Sequence, residues 1–349
     1  MMKLQEKRLY FFNLEHSSII KGRGRFEAAS KATKDVKDIV LSLPDVKYIP
    51  LYRHTDNKIV GIIELLVQLV FRCLFIPRHS IVFIQYPIMN IKAFYIVKNL
   101  LRRYEVTTII HDLQSYRYPQ FYADREKELA ILNSMKHLIV HTDKMKNLLV
   151  KDGVESQIHI LGVFDYLLPP SEKVQYEKDA IVFAGALQKS LFLNQMYQID
   201  ISPYHINLYG GVKPAIDNMS NMEYKGAFKP DCISAIEGEW GLMWDGDGID
   251  SCTGNFGEYL QLIAPHKFSL YIACGLKIIV WEKSAMAEVV KQHGIGITIA
   301  SLREIKEKLS KLDNQDIEQM NKNIRKLSDS LRNGMMFKSV ISEILQDYN

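Results

Sequence analysis

Lys267 is the residue whose type and setting define a chemistry most sharply. Pro265-His266-Lys267 opens an apolar run that Gly275 ends, and Leu276–Trp281 follows as an apolar strand. Proline has the fixed φ and the missing N–H that suit a first helical turn, and glycine suits the end. First-turn N–H groups carry partial positive charge, and Lys267 adds a full one beside them. Such a place holds a small anion, with a nucleoside diphosphate as the obvious candidate. An ordinary surface lysine on a helix fits the same pattern equally well.

A second lysine strengthens the anion reading. The apolar run Ala180–Ala184 leads into Gly185-Ala186-Leu187-Gln188-Lys189. A glycine directly after a strand lets backbone approach a phosphate, and Lys189 is near enough to add charge. Lys189 and Lys267 would then grip one diphosphate from two strand ends and stabilise it as a leaving group without a metal. Trp244-Asp245-Gly246-Asp247-Gly248 contains an Asp-x-Asp spacing that holds a divalent cation in other settings. Here a polar turn or a sugar-hydroxyl contact from Asp245 is the better reading, because the lysines already offer countercharge. Asn255 and Glu258 suit ribose or sugar hydroxyls, Tyr209 and Tyr259 suit the base, and His266 adjoins the Lys267 site. On the other side of the chemistry, His111-Asp112 closes a buried strand, where a base for an acceptor hydroxyl is needed. Asp112 is the first choice and His111 the second, with His16 a weaker third. Gly22-Arg23-Gly24 gives only a GxG, a loop able to reach toward donor or acceptor. No catalytic triad and no metal-ligand cluster stands out.

These residues need a scaffold, and the pattern supplies one. Leu9–Leu14 reads as a strand, and the loop from Lys21 opens a helix to about Leu43. Ser80–Tyr86, Val106–Ile110 and His137–Val140 read as strands. Helices alternate with them at Ile91–Arg103, Asp124–Met135 and Thr142–Asp152, the last capped by Thr142 and ended by Gly153. An aperiodic linker covers Gly162–Lys178. The alternation then restarts with strands at Ala180–Ala184, Ile206–Tyr209, near Tyr224, Trp240–Trp244 and 276–281. Helices are expected from Pro230, over 265–274, over Ser284–His293 and through the tail. Strand–helix alternation of this kind builds parallel, doubly wound sheets. The expected organisation is a domain over 1–165, a nucleotide-sugar-binding domain over 179–332, and a last helix, 333–349, returning to the first domain. Two such Rossmann-like domains facing a central cleft make the α/β fold called GT-B, whose ligands lie at the carboxyl ends of the strands. Fold alone leaves the activity open.

Composition narrows the class. The 349 residues are 47% hydrophobic and 24% charged, ordinary for globular domains. Cys73, Cys232, Cys252 and Cys274 have no ligand-like spacing and suit a reducing compartment. The N-terminus has no signal-peptide character, so a cytoplasmic protein is expected. Residues 1–170 carry 25 Lys and Arg against 17 Asp and Glu, whereas the remainder carries 19 against 23. A basic half suits peripheral contact with an anionic membrane face, but lacks the density of a nucleic-acid binder. Ile59–Ile76 is apolar except for Glu64, Gln68 and Arg72, which form one stripe on a helix. It is expected to be an amphipathic helix buried on most of its surface, with membrane docking or an oligomer interface as the alternative.

The segment Gly241–Trp281, with its WDGDG and PHK blocks, resembles bacterial galactofuranosyltransferases, as do Ser284-Ala285-Met286 and Gly294–Ile297. It is similar, more distantly, to the glucosyltransferases that extend glycans on serine-rich streptococcal adhesins. The resemblance runs from the first glycine loop through His111-Asp112 and Gly185 to the last helices, and is most specific around Lys267. It implies a GT-B glycosyltransferase that uses a UDP-sugar and no metal or other cofactor. In the adhesin-type enzymes the lysine matching Lys267 contacts the diphosphate, whereas arginine stands where this chain has Lys189. Many retaining enzymes carry two glutamates eight positions apart; here Glu258 is followed by His266, which favours inversion. The expected activity is transfer of galactofuranose from UDP-galactofuranose onto a glycan or polyprenyl-diphosphate-linked oligosaccharide. The alternatives are UDP-glucose as donor and a non-catalytic transferase partner. A homo-oligomer at the inner face of the cell membrane is also expected.

Overall fold

The computed structural model describes residues 8–16, 28–216, 218–346 and 348. The loop Gly22-Arg23-Gly24 lies outside the described residues. The chain divides into two compact units. The first is built on Val36–Leu161 and takes in the segment from Phe337 onward, and the second is built on Gly162–Met336.

In the first unit, β1 (Leu9–His16), β2 (Val46–Arg53), β3 (Ile81–Tyr86), β4 (Glu105–Ile110), β5 (His137–Val140) and β6 (Gln157–Ile160) form one sheet. Its order is β2-β1-β3-β4-β5-β6, and every pairing is parallel. β3 and β5 are buried at every position, as strands covered on both faces must be. Phe83 packs edge-on against Phe337, at 5.6 Å between ring centroids, tying the last helix to this sheet.

The second unit repeats the plan with β7 (Ala180–Ala184), β8 (His205–Tyr209), β9 (Met222–Gly226), β10 (Trp240–Met243), β11 (Lys277–Trp281) and β12 (Gly296–Ile299). Its order is β12-β11-β10-β7-β8-β9, again all parallel. Counted from its own first strand this is the 3-2-1-4-5-6 order of a doubly wound nucleotide-binding sheet. The chain winds one way from β7 and the other way from β10. Their carboxyl ends therefore flank an open crevice.

Several sequence expectations need correction. β2 is a strand that its Pro50 disguised; as the edge strand it tolerates a residue without an N–H. β6 and β12 are likewise strands, each short and half-buried. No helix starts at Pro230: the segment forms turns, with Cys232 N–H bonded to Lys229 and Ile236 N–H to Ile233. The helix in the Ile59–Ile76 region spans Lys58–Cys73 and buries only Gly61, Leu65, Leu69 and Cys73. It is not buried on most of its surface, because it lies beside an edge strand that covers a single stripe.

Candidate functional site

The second unit gathers its charged residues at the carboxyl ends of β7 and β10. The helix His266–Ala273 follows β10, and its seating is set by Gly241. A Cβ at Gly241 would come within 2.4 Å of the Tyr271 ring, so glycine alone admits this ring. Tyr271 Oη then accepts the Ala184 N–H at 2.8 Å, locking the helix to the end of β7. This seating aims Lys267 inward. Its Nζ donates to the Trp244 carbonyl at 2.7 Å, lies 3.4 Å from Asp245 Oδ2, and sits 4.7 Å above the Phe183 ring. With 13% of its side chain exposed, Lys267 is a shielded cation that still reaches the surface.

The Trp244–Gly248 turn is built to hold Asp245. Trp244 is fully buried and its indole N–H donates to the Gly248 carbonyl at 2.9 Å. Gly246 has φ +95°, and a Cβ there would stand 2.0 Å from the Thr253 carbonyl oxygen. No other residue fits that backbone approach. Asp245 Oδ1 accepts the Gly246 N–H at 3.0 Å and lies 3.5 Å from Ser190 Oγ. The carboxylate thus bridges the turn after β10 and the turn after β7.

That second turn opens at Gly185, whose φ of +151° favours glycine and whose Cα faces open space. Gly185 N–H is taken by the Tyr209 carbonyl at 2.9 Å. Lys189 follows on a single 3-10 turn, exposed, with its Nζ 5.3 Å from the Phe256 ring. Phe256 belongs to the short helix Gly254–Tyr259, which leaves Asn255 and Glu258 exposed. Gly185, Lys189, Asp245 and Lys267 therefore converge on neighbouring strand ends. Ser190, Phe183 and Phe256, which the sequence did not single out, support them.

Three other expected residues stand apart. Tyr209 is buried and its hydroxyl accepts the Glu237 N–H at 2.8 Å, so it closes the core. Tyr259 is buried as well. His266 turns away from Lys267 and stacks on Tyr166, 4.9 Å between ring centroids at 29°. Burial, with help from the Lys31 charge, pushes its imidazole down to about 3, so it is neutral.

The first unit presents a separate cluster at the carboxyl ends of β1, β3 and β4. Gln85 Nε2 donates to Asn13 Oδ1 at 2.7 Å, and Gln85 Oε1 accepts from His111 Nε2 at 2.7 Å. Asn13 Nδ2 continues to Glu15 at 3.2 Å. Burial alone would raise the Glu15 carboxyl, yet hydrogen bonds from Lys37 and Tyr48 hold it below the usual range. Asn13 and Gln85 are buried polar residues inside otherwise apolar strands, a signal present in the sequence that belongs to no motif. Asp112 is fixed by one oxygen only. Arg117 donates to Oδ2 at 2.6 Å and Tyr118 at 3.4 Å, while Oδ1 is buried with no hydrogen-bond partner among the described residues. The loop carrying Arg117 is clamped by buried Glu128, which accepts the N–H groups of Gln114 and Ser115 at 2.9 and 2.8 Å. Beneath it, His141 Nε2 donates to the Ile110 carbonyl at 2.7 Å, and burial lowers its imidazole to about 4. His16 ends β1. Among the described residues, no three His, Cys, Asp or Glu side chains form a metal-holding group.

Known proteins align with both units. Residues 17–163 match the glucosyltransferase 3-like N-terminal domain and residues 181–344 its C-terminal domain. The chain is 26% identical over 336 residues to the beta-1,6-galactofuranosyltransferase WbbI of Escherichia coli K12, covering 93% of this chain and 96% of that one. It is 24% identical over 276 residues to glucosyltransferase 3 of Streptococcus gordonii, covering 77% and 80%. Among solved structures, an Anabaena HepE protein in complex with UDP superposes with a TM-score of 0.55 at 12% identity, over 97% of this chain and 100% of that one. At that identity the likeness is one of fold, and the fold is GT-B.

Proposed function

We propose that this chain, which belongs to the glucosyltransferase 3-like family and is a hexose-transferring glycosyltransferase, takes galactofuranose from UDP-galactofuranose and passes it to a glycan or lipid-linked oligosaccharide with inversion. The observation that carries the donor reading is Lys267, a shielded cation beside the crevice of a 3-2-1-4-5-6 sheet. Lys267 and Lys189 meet the diphosphate, and their charge stabilises UDP as it leaves. Asp245 is already engaged by Lys267 and Ser190, which supports a diphosphate countered by lysines and not by a metal on the Asp245–Asp247 pair. Asn255 and Glu258, both exposed beside Lys189's neighbour Phe256, are placed to accept hydrogen bonds from sugar or ribose hydroxyls.

The first unit supplies the base. Asp112, anchored through Oδ2 by Arg117, is the first candidate to take the proton of the acceptor hydroxyl as that oxygen attacks the donor's anomeric carbon and UDP leaves. His111, oriented by Gln85, is the second candidate. The choice of galactofuranose is supported by the coverage of the WbbI match, and UDP-glucose is the alternative donor. Product analysis with UDP-galactofuranose and UDP-glucose side by side, in EDTA, tests the reading. Galactofuranosyl product with inverted configuration supports it, and exclusive glucosyl transfer replaces the donor.

A further inference from the structure

The helix Lys58–Cys73 presents its apolar side outward. Two members of its polar stripe, Gln68 and Glu64, are spent on the protein. Gln68 accepts the Tyr52 N–H at 2.9 Å and donates to the Tyr52 carbonyl at 2.7 Å, covering the free edge of β2. Glu64 accepts the His54 N–H at 3.0 Å and also binds the His54 ring. The stripe from Gly61 to Cys73 sits on the sheet. What faces outward is Ile59 (71% exposed), Ile63, Val67 (63%), Phe71 and, just past the helix, Phe75 (70%). Phe71 and Phe75 pack edge-to-face at 5.0 Å, so this is a continuous ridge and not scattered side chains. The helix Ile91–Leu101 packs alongside and exposes Ile96 (73%), with Tyr95 under the Lys98 ammonium at 3.7 Å. A contiguous apolar surface of this kind marks an interaction site.

Charge identifies the occupant. From Lys58 to Arg103 the sequence holds seven Lys and Arg and one acid, Glu64, which His54 already engages; Lys92, 73% exposed, also lies 3.8 Å from Asp124, which Lys127 holds at 2.6 Å. A second copy of the chain would set this cationic face against itself. An anionic lipid surface is complementary to it. Among the described residues no helix is long and apolar enough to cross a membrane, so the helix would lie in the interface plane. We infer that the face made by helices Lys58–Cys73 and Ile91–Leu101 docks on an anionic bilayer, its apolar ridge entering the headgroup boundary while Lys92, Lys98 and Arg102 meet lipid phosphates. This docking needs neither donor nor turnover, so it stands or falls separately from the transferase reading.

Sedimentation of the full chain with vesicles tests it. The protein should pellet with vesicles of equal parts phosphatidylcholine and phosphatidylglycerol, stay in solution with phosphatidylcholine alone, and be released by salt. The Val67→Glu/Phe71→Glu protein should no longer pellet. Lys92→Ala and Arg102→Ala, which leave the ridge intact, should each lower the partition about fivefold. Protein that stays in solution with both vesicles overturns the inference, as does undiminished pelleting of the double variant and of both alanine variants. A dimer that the double variant dissociates, with no vesicle binding by the wild type, assigns the face to a second copy and equally overturns it.

Discussion

Replacing Lys267 with alanine should weaken UDP binding in a chain that still folds. The ammonium is held by the Trp244 carbonyl at 2.7 Å and by Asp245 at 3.4 Å, partly shielded from water. A hydrogen bond to a charged group is worth about 1.5–3 kcal/mol, so losing the one to the diphosphate should lower UDP affinity about 10- to 150-fold. The variant also leaves Asp245 without its cation, and that carboxylate then repels the incoming phosphates. For folding, the loss of the Trp244 hydrogen bond costs about 1.5–3 kcal/mol and that of the loose Asp245 ion pair ~1 kcal/mol or less, a Tm drop of about 3–16 °C. Isothermal titration of UDP into both proteins in EDTA, with Tm measured alongside, separates the two effects. A folded Lys267→Ala protein that binds UDP as the wild type does would refute the assignment of Lys267 to the diphosphate.

Three further outcomes follow from the same geometry. Asp112→Asn should cut turnover about 10²–10⁴-fold with UDP affinity unchanged; normal turnover would remove Asp112 as base and leave His111. Gly246→Ala must push a Cβ against the Thr253 carbonyl at positive φ, so Tm should fall with a strain cost of about 1–3 kcal/mol and UDP binding should weaken; an unchanged Tm contradicts the reading. Stability should also drop on acidification. His141 and His266 have folded-state values near 4 and 3, below the ordinary 6.5, so the stability they confer is full above pH 6.5 and is lost as pH falls toward those values. Asp35, raised to about 6 mainly by burial, works the opposite way over part of that window. Urea titrations across the window should show a shallower acid loss in His141→Gln than in the wild type, and equal slopes would contradict the His141 assignment.

How much of this was legible in the sequence depended on where each residue's partners lie. Strands such as Ile81–Tyr86 and Lys277–Trp281 announce themselves because both faces are covered, leaving a largely apolar run interrupted only by Gln85 in the first and opened by Lys277 in the second. Val46–Arg53 did not, because an edge strand can carry Pro50 and expose alternate residues. Lys189 was visible as a charge after a strand and Lys267 as one in a first helical turn, both settings in which doubly wound sheets collect ligands. The role of Asp245 as a bridge was not, because Ser190 lies 55 residues away from it. His266 was misjudged by its neighbour: adjacent helix positions point about 100° apart, and Tyr166 claims the imidazole. The outward ridge was hidden for a similar reason. Sequence shows that Glu64, Gln68 and Arg72 form one stripe, but only the placement of β2 beside it shows that Glu64 and Gln68 turn to the edge of that strand while Arg72 stays exposed.

In the proposed donor site the carboxyl ends of β7 and β10 hold a UDP diphosphate through Lys267 and Lys189. Thermal unfolding of the full chain in EDTA, with and without UDP, tests it most directly. UDP at about 100 times its Kd adds about 2.7 kcal/mol, which should raise Tm by about 5–10 °C. An unchanged Tm in saturating UDP would contradict it.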